Sequence, residues 1–233
     1  MKGTVIIKFI ESNLPDDGAV EIPEGVTGID IDPYSQSIFY MKKTIKSVTI
    51  PSTMTTISDT AFRFCSNLES VNIAAGVKII GASAFEGCTS LKSVKIPSSV
   101  TTIGSDAFNG CSNLTGITIP DGVTGISSYV FYGCKLTEIT IPDGVTEIGK
   151  FAFFNCSLTG DVVIPASVTK IGKSAFAGCI NLQSVTFEDT EGWYAYATGV
   201  GEIDVSKPEE NAAELKSQDP GKWGEQAIYK QTN

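Results

Sequence analysis

The chain has 233 residues, 17 of them basic and 26 acidic, for a formal net charge of −9, and it contains no histidine. Without imidazole there is no Ser-His-Asp or Cys-His nucleophile, no His-ligated zinc and no His general base. The acidic balance disfavours nucleic acid as a partner, because binding there begins with neutralising phosphates. With 42% hydrophobic and 18% charged residues, the chain buries a core and is not a disordered segment.

At the N-terminus, the apolar stretch from Thr4 to Ile10 is short and is broken by Lys8. It lacks the longer apolar region and small-residue cleavage site of a secretory signal. No run approaches the ~18 apolar residues of a transmembrane helix. Residues 1–49 read as an N-terminal cap with one degenerate repeat: Val20-Glu21-Ile22-Pro23 leads to Val26 and Ile29, and Val48-Thr49-Ile50 follows after a longer excursion.

From Ile50 to Phe187 one unit is written six times. Its pattern is Ile-Pro-x-x-Val-x-x-Ile-Gly-x-x-Ala-Phe-x-x-Cys-x-x-Leu-x-x-Val-x-Ile, with boundaries at Ile50, Ile73, Ile96, Ile119, Ile141, Ile164 and Phe187 and steps of 22 or 23 residues. The Phe column is Phe62, Phe85, Phe108, Phe131, Phe153 and Phe176. The Cys column is Cys65, Cys88, Cys111, Cys134, Cys156 and Cys179. The Val-x-Ile alternation places two apolar side chains on one face of a strand. The following Pro has no N–H for a ladder and ends that strand. The next positions turn the chain. Because Gly122 and Gly144 alternate there with Thr53 and Ser99, a positive φ is not expected at them. The Ala-Phe-x-x-Cys spacing predicts a short helical or 3-10 turn that drops Phe and Cys inward. One such unit cannot bury enough apolar surface to fold alone, so neighbours must cover its two open faces and the ends need caps. Residues 188–233 read as the C-terminal cap and tail, in which 207–222 either forms a helix or stays loose.

The core Leu68-x-x-Val71-x-Ile73, with the Pro, Ile-Gly, Ala-Phe and Cys columns, resembles the Treponema-type, or BspA-like, class of leucine-rich repeats. The tail around Glu191-Gly192-Trp193-Tyr194 and Asp204-Val205-Ser206 is similar to the C-terminal region of such proteins. The resemblance implies an α/β solenoid of about eight coils. Short parallel strands would line its concave face, with helical, 3-10 or irregular segments on the other. It also implies a non-catalytic bacterial surface or secreted protein that binds a protein or glycoprotein, such as a host matrix protein. The absent export signal supports the alternative of an intracellular scaffold. No cofactor, metal or catalytic residue is expected.

Six cysteines at one position per unit stack as a ladder of small apolar side chains behind Phe, rather than as disulfides. Without a Cys-x-x-Cys there is no support for zinc. The outward strand positions, Asn72, Lys95, Thr118, Thr140, Val163 and Thr186, give a sheet surface of good β-formers without an aromatic cluster. A different feature stands out beside the Ala-Phe pairs of the fourth and fifth units: Tyr129, Tyr132, Phe151 and Phe154. The same columns elsewhere hold Thr60, Ser83, Asp106 and Ser174, or Arg63, Glu86, Asn109 and Ala177. Large apolar groups at solvent-type positions mark a contact with a partner or another copy, unless the rings merely roof the core or the C-terminal segment covers them.

Overall fold

A computed structural model describes residues 4–6, 15–29, 37–195, 205–206, 208–217 and 228–230. The N-terminal half carries strands β1 (Thr4–Ile6), β2 (Ala19–Glu21), β3 (Val26–Ile29), β4 (Ser47–Ile50), β5 (Thr56–Ile57), β6 (Ser70–Ile73), β7 (Ile79–Ile80), β8 (Ser93–Lys95) and β9 (Thr102–Ile103). The C-terminal half carries β10 (Gly116–Ile117), β11 (Gly125–Ile126), β12 (Glu147–Ile148), β13 (Asp161–Ile164), β14 (Lys170–Ile171), β15 (Ser184–Phe187), β16 (Trp193–Ala195), helix α1 (Pro208–Leu215) and β17 (Ile228–Lys230).

These form a parallel β-solenoid. One ladder runs β2-β4-β6-β8-β10 and resumes as β13-β15, while a second runs β5-β7-β9 and resumes as β11-β12-β14. Register follows the repeat: Val48 pairs with Val71, and Val71 with Val94. Within β6 and β13 exposed and buried residues alternate, as the period of two in Val-x-Ile requires.

The core is a set of columns. Phe39, Phe62, Phe85, Phe108, Phe131, Phe153 and Phe176 form one continuous stack, with neighbouring ring centroids 5.1–5.8 Å apart. Phe39 shows that the degenerate N-terminal copy is a real coil whose Phe column survives a longer excursion. Ile45, fully buried, fills its Leu column. Against the eight coils expected, the described residues show seven: six of 22 or 23 residues after one longer N-terminal coil. Past β15 the chain does not continue the spiral: β17 pairs antiparallel with β14 and with β16, and α1 packs on β15.

The turns opposite the strands differ from expectation. No helical or 3-10 segment occurs in the repeats, and the reason lies in where alternate N–H groups point. In the first regular coil the N–H groups of Ala61, Arg63 and Cys65 donate three residues back. Those of Thr60, Phe62 and Phe64, lying between them, donate onward to Ala82, Ala84 and Glu86 of the next coil. A 3-10 helix needs every N–H to bond within its own turn. Here every second one is given to the neighbouring coil, so the segment is a third ladder made of linked turns.

Two left-handed residues per coil make that path possible. One column, Thr60, Ser83, Asp106, Tyr129, Phe151 and Ser174, has φ of 54–60°. The other, just before Cys, has Phe64 and Asn155 at φ of 59° and 55°, and Gly87, Gly110, Gly133 and Gly178 at 67–76°. Gly122 and Gly144 are not among the positive-φ residues, as the alternation with Thr and Ser predicts.

Coil four is irregular. The glycine after the core Ile lies against the backbone of the preceding coil: a Cβ on Gly104 would sit 2.6 Å from the Ala82 nitrogen, and one on Gly149 2.5 Å from the Ser128 nitrogen. Coil four has Ser127 at this position and Val130 in the Ala column. Ser127 brings the Cβ that this close approach excludes. The second ladder is interrupted there, between β9 and β11, and a shallow apolar recess lined by Ile103, Val123, Ile126 and Phe131 opens at the seam. The first ladder is interrupted one step later, where the unit lacks one residue between Cys134 and Leu136.

Candidate interaction surface

The cysteines belong to the core. All six are buried and free. Each thiol donates to the Phe carbonyl of the preceding coil, from Cys65 Sγ on Phe39 O at 3.0 Å to Cys179 Sγ on Phe153 O at 3.0 Å. Burial pushes every thiol up, Cys65 and Cys179 to about 12 and the other four well above their ordinary value. A buried thiol held neutral in this way is a weak nucleophile and a poor metal ligand. No group of three or more potential metal ligands occurs among the described residues.

The outward strand residues Asn72, Lys95, Thr118, Thr140, Val163 and Thr186 are exposed. They are small, mixed and without convergent geometry. Among the described residues, ion pairs tie adjacent coils together, with Arg63–Glu86 at 2.8 Å, Lys92–Glu69 at 2.9 Å and Lys170–Glu147 at 2.6 Å. Each joins the same column of neighbouring coils, so their role is stacking.

The four aromatic residues do come together. Tyr129 and Phe151 occupy the first left-handed column of adjacent coils, and their rings stack at 4.9 Å. Tyr132 and Phe154, three residues further on, stack at 4.9 Å with only 8° between planes. Edge and tilted contacts close the square, with Phe151–Phe154 at 5.4 Å and Tyr129–Tyr132 at 5.9 Å. The Lys150 ammonium lies 5.5 Å from the Tyr129 ring centroid, within cation–π range. All four rings are half-buried, whereas Phe131 and Phe153 beneath them are fully buried. The core therefore closes at the Phe column, and the square is a second layer upon it. The described C-terminal residues pack elsewhere: α1 on β15, and the Lys216 carbonyl on the Gly178 N–H of coil six at 2.9 Å.

A bulky residue at positive φ is a backbone outlier, costing on the order of 1–2 kcal/mol. Ser, Thr and Asp fill the column in the other coils, and none carries a ring. A smaller aromatic group at the N-terminal end escapes a reading of the sequence alone: Tyr40 meets Phe64 edge-on at 5.9 Å, and Arg63 lies 4.7 Å over Phe64. Its signal was Phe64 itself, the one aromatic in a column otherwise made of glycine and asparagine.

A family profile described as the BspA type leucine rich repeat region matches residues 32–159 and 146–196, in six copies. The chain belongs to the BspA-type leucine-rich-repeat family. Among solved structures it is similar to a leucine rich cell surface protein from Faecalibacterium prausnitzii, with 32% identity and a TM-score of 0.70 over 94% of this chain and 59% of that one. It thus spans about three fifths of that relative's length. It is also similar to a leucine rich repeat protein of T. pallidum, with 28% identity and a TM-score of 0.62 over 72% of this chain and 83% of the other. A search of the curated proteins gives no significant match. The solenoid is the repeat-protein fold that this family uses, and no helix among the described residues is long and apolar enough to cross a membrane.

Proposed function

We propose that this BspA-type solenoid is a non-catalytic protein-binding module of a bacterial cell-surface or secreted protein, adhesion to host glycoproteins being its most concrete form. Its contact surface is Tyr129, Tyr132, Phe151 and Phe154. The observation carrying this reading is that four rings stand where the other coils carry mostly polar side chains, two of them at a φ that bulky residues avoid. A fold that needed only solubility would keep Ser or Asp there. Aromatic anchors dominate the energetics of protein interfaces. The cell-surface description belongs to the Faecalibacterium relative and supports the same location for this chain.

Two measurements test it. Protease shaving of intact source cells should remove the protein while the cells stay sealed; full protection until lysis would mean an intracellular scaffold. The chain should bind immobilised host matrix glycoproteins, and Tyr132→Ser with Phe154→Asn should cut that binding at least tenfold. Unchanged binding in a variant that keeps its circular dichroism would remove the patch from the function.

A further inference from the structure

The charges around the aromatic square are segregated. The segments 127–136, 149–158 and 172–182 form the turn side of coils four, five and six. They contain Lys135, Lys150 and Lys173 and no carboxylate. The strand side and the adjoining turns of the same region carry Asp121, Glu138, Asp143, Glu147 and Asp161. The turn side of the first three regular coils is different again, with Asp59, Glu86 and Asp106 against the single cation Arg63. Its acids are engaged locally: Asp59 accepts the Ala82 N–H at 2.7 Å, Glu86 pairs with Arg63, and Asp106 accepts from Asn109 Nδ2 at 2.8 Å. In a chain of net charge −9, the turn-side segments of coils four and five hold lysines and no carboxylate, and they are the segments that present the rings.

Resting on the interaction surface proposed above, we infer that its partner is an acidic polypeptide segment with apolar side chains among its carboxylates. Its apolar groups would pack on the square of Tyr129, Tyr132, Phe151 and Phe154, and its carboxylates would meet Lys135 and Lys150. Both lysines are exposed, and Lys150 is already fixed over the Tyr129 ring. The stacking geometry favours protein over a sugar ring. The faces of Tyr129 and Phe151 are turned on each other, as are those of Tyr132 and Phe154, so edges and tips, rather than open faces, are presented between the stacked pairs. Ring edges are the positive part of the quadrupole, and they add to the attraction for carboxylate and carbonyl oxygens. The acids on the other faces repel the same partner. With a screening length of about 8 Å at physiological salt, an acidic segment is attracted only where the local charge is positive. The segregation therefore fixes the side of approach as well as the affinity.

The test is selection of a random 15-residue peptide phage library on the full chain, with counter-selection on the Tyr132→Ser/Phe154→Asn variant. Enriched peptides should combine Asp or Glu with aromatic or aliphatic residues. A synthetic copy of the best peptide should lose at least tenfold in affinity on Lys135→Glu with Lys150→Glu, and a similar amount when its acids are changed to Gln. Enrichment of neutral or basic peptides, no enrichment, or an affinity indifferent to the lysine reversal would each overturn the inference. So would two other occupants: sedimentation with phosphatidylserine vesicles that needs the same rings, or a concentration-dependent dimer in light scattering that the same variants abolish. Host glycoprotein binding that needs the rings but ignores the lysines would keep the proposed function and sink only this choice of partner.

Discussion

Ser127 Oγ donates a hydrogen bond to the main-chain oxygen of Ile103. In the regular coils that core Ile carbonyl receives a glycine N–H instead: Gly104 on Ile80 at 2.8 Å, Gly149 on Ile126 at 2.7 Å and Gly172 on Ile148 at 2.7 Å. The serine hydroxyl spans the wider gap that its own Cβ creates, so the carbonyl is satisfied although the ladder is interrupted.

This makes the glycine column a predictor of mutational cost. Gly149→Ser should destabilise by about 1–3 kcal/mol, because its Cβ would meet backbone and not a movable side chain. Gly116→Ala, with nothing within 4 Å of the new Cβ, should change stability by less than about 1 kcal/mol. Ser127→Gly should be close to neutral, since a recovered N–H bond offsets the greater chain entropy of glycine. It should, however, slow hydrogen exchange of the residue-127 amide. Urea midpoints and exchange of the amides check all three. A serine tolerated at 149 would show that coil spacing is not set by this contact.

The square and the stack beneath it should separate cleanly on mutation. Phe153→Ala removes a fully buried ring between Phe131 and Phe176 and should cost about 3–5 kcal/mol. Phe151→Asn, two residues away, gives up ring contacts worth about 0.5–1.5 kcal/mol each but places a residue that tolerates positive φ at a position with φ of 56°. The net change should stay within about 1 kcal/mol, whatever happens to binding. Comparable losses at 151 and 153, measured by thermal unfolding, would make the square part of the core.

Much of this was legible beforehand. The spacing of Ile57, Ile80 and Ile103, with the Phe and Cys columns, fixes coil length, strand position and burial without any coordinates. The aromatic square was legible too, because rings broke a polar column. What was not legible was the backbone path. Ala-Phe-x-x-Cys fits a helical turn as readily as a linked-turn ladder, and the choice depends on N–H groups finding carbonyls 22 residues away. The left-handed column was hidden for a related reason. Thr60, Tyr129 and Phe151 are not residues that advertise positive φ. Phe39 stands 23 residues before Phe62, in register, but it was obscured because Ile38 and Lys42 replace the Ala and Cys of the pattern and ten residues rather than five separate it from Ile29.

The cysteine ladder predicts an alkaline limit to stability. In the native state burial holds the thiols protonated, to about 12 for Cys65 and Cys179 and well above the ordinary value for the others. An unfolded thiol ionises near about 8.5. Above that point the unfolded chain binds fewer protons than the native one, so stability falls as pH rises. It should be intact below about pH 8.5 and decline toward pH 12, each thiol contributing up to ~1.4 kcal/mol per pH unit. Urea unfolding at pH 7, 9 and 10 should show the decline, and a thiol reagent at pH 7 should label nothing until the solenoid opens. A flat profile to pH 10, or rapid labelling of the native chain, would mean that the ladder is accessible.

Asn211 on α1 should matter more than its size suggests. Its Nδ2 donates to Val185 O at 2.9 Å, on the last strand of the first ladder, and to Val205 O at 2.7 Å. The side chain is fully buried. It thereby supplies β15 with a partner that the next coil would otherwise give, and an unpaired parallel edge is a template for further strands. Asn211→Ala leaves two buried carbonyls without a donor, at about 1–3 kcal/mol each, while its own Oδ1 has no partner to lose. The expected outcome is a stability loss of about 2–5 kcal/mol, with end-to-end association at high concentration. Sedimentation beside urea unfolding reads both effects. A variant that stays as stable as the parent would show that α1 is held to the last coil by its apolar contacts, with the hydrogen bonds adding nothing.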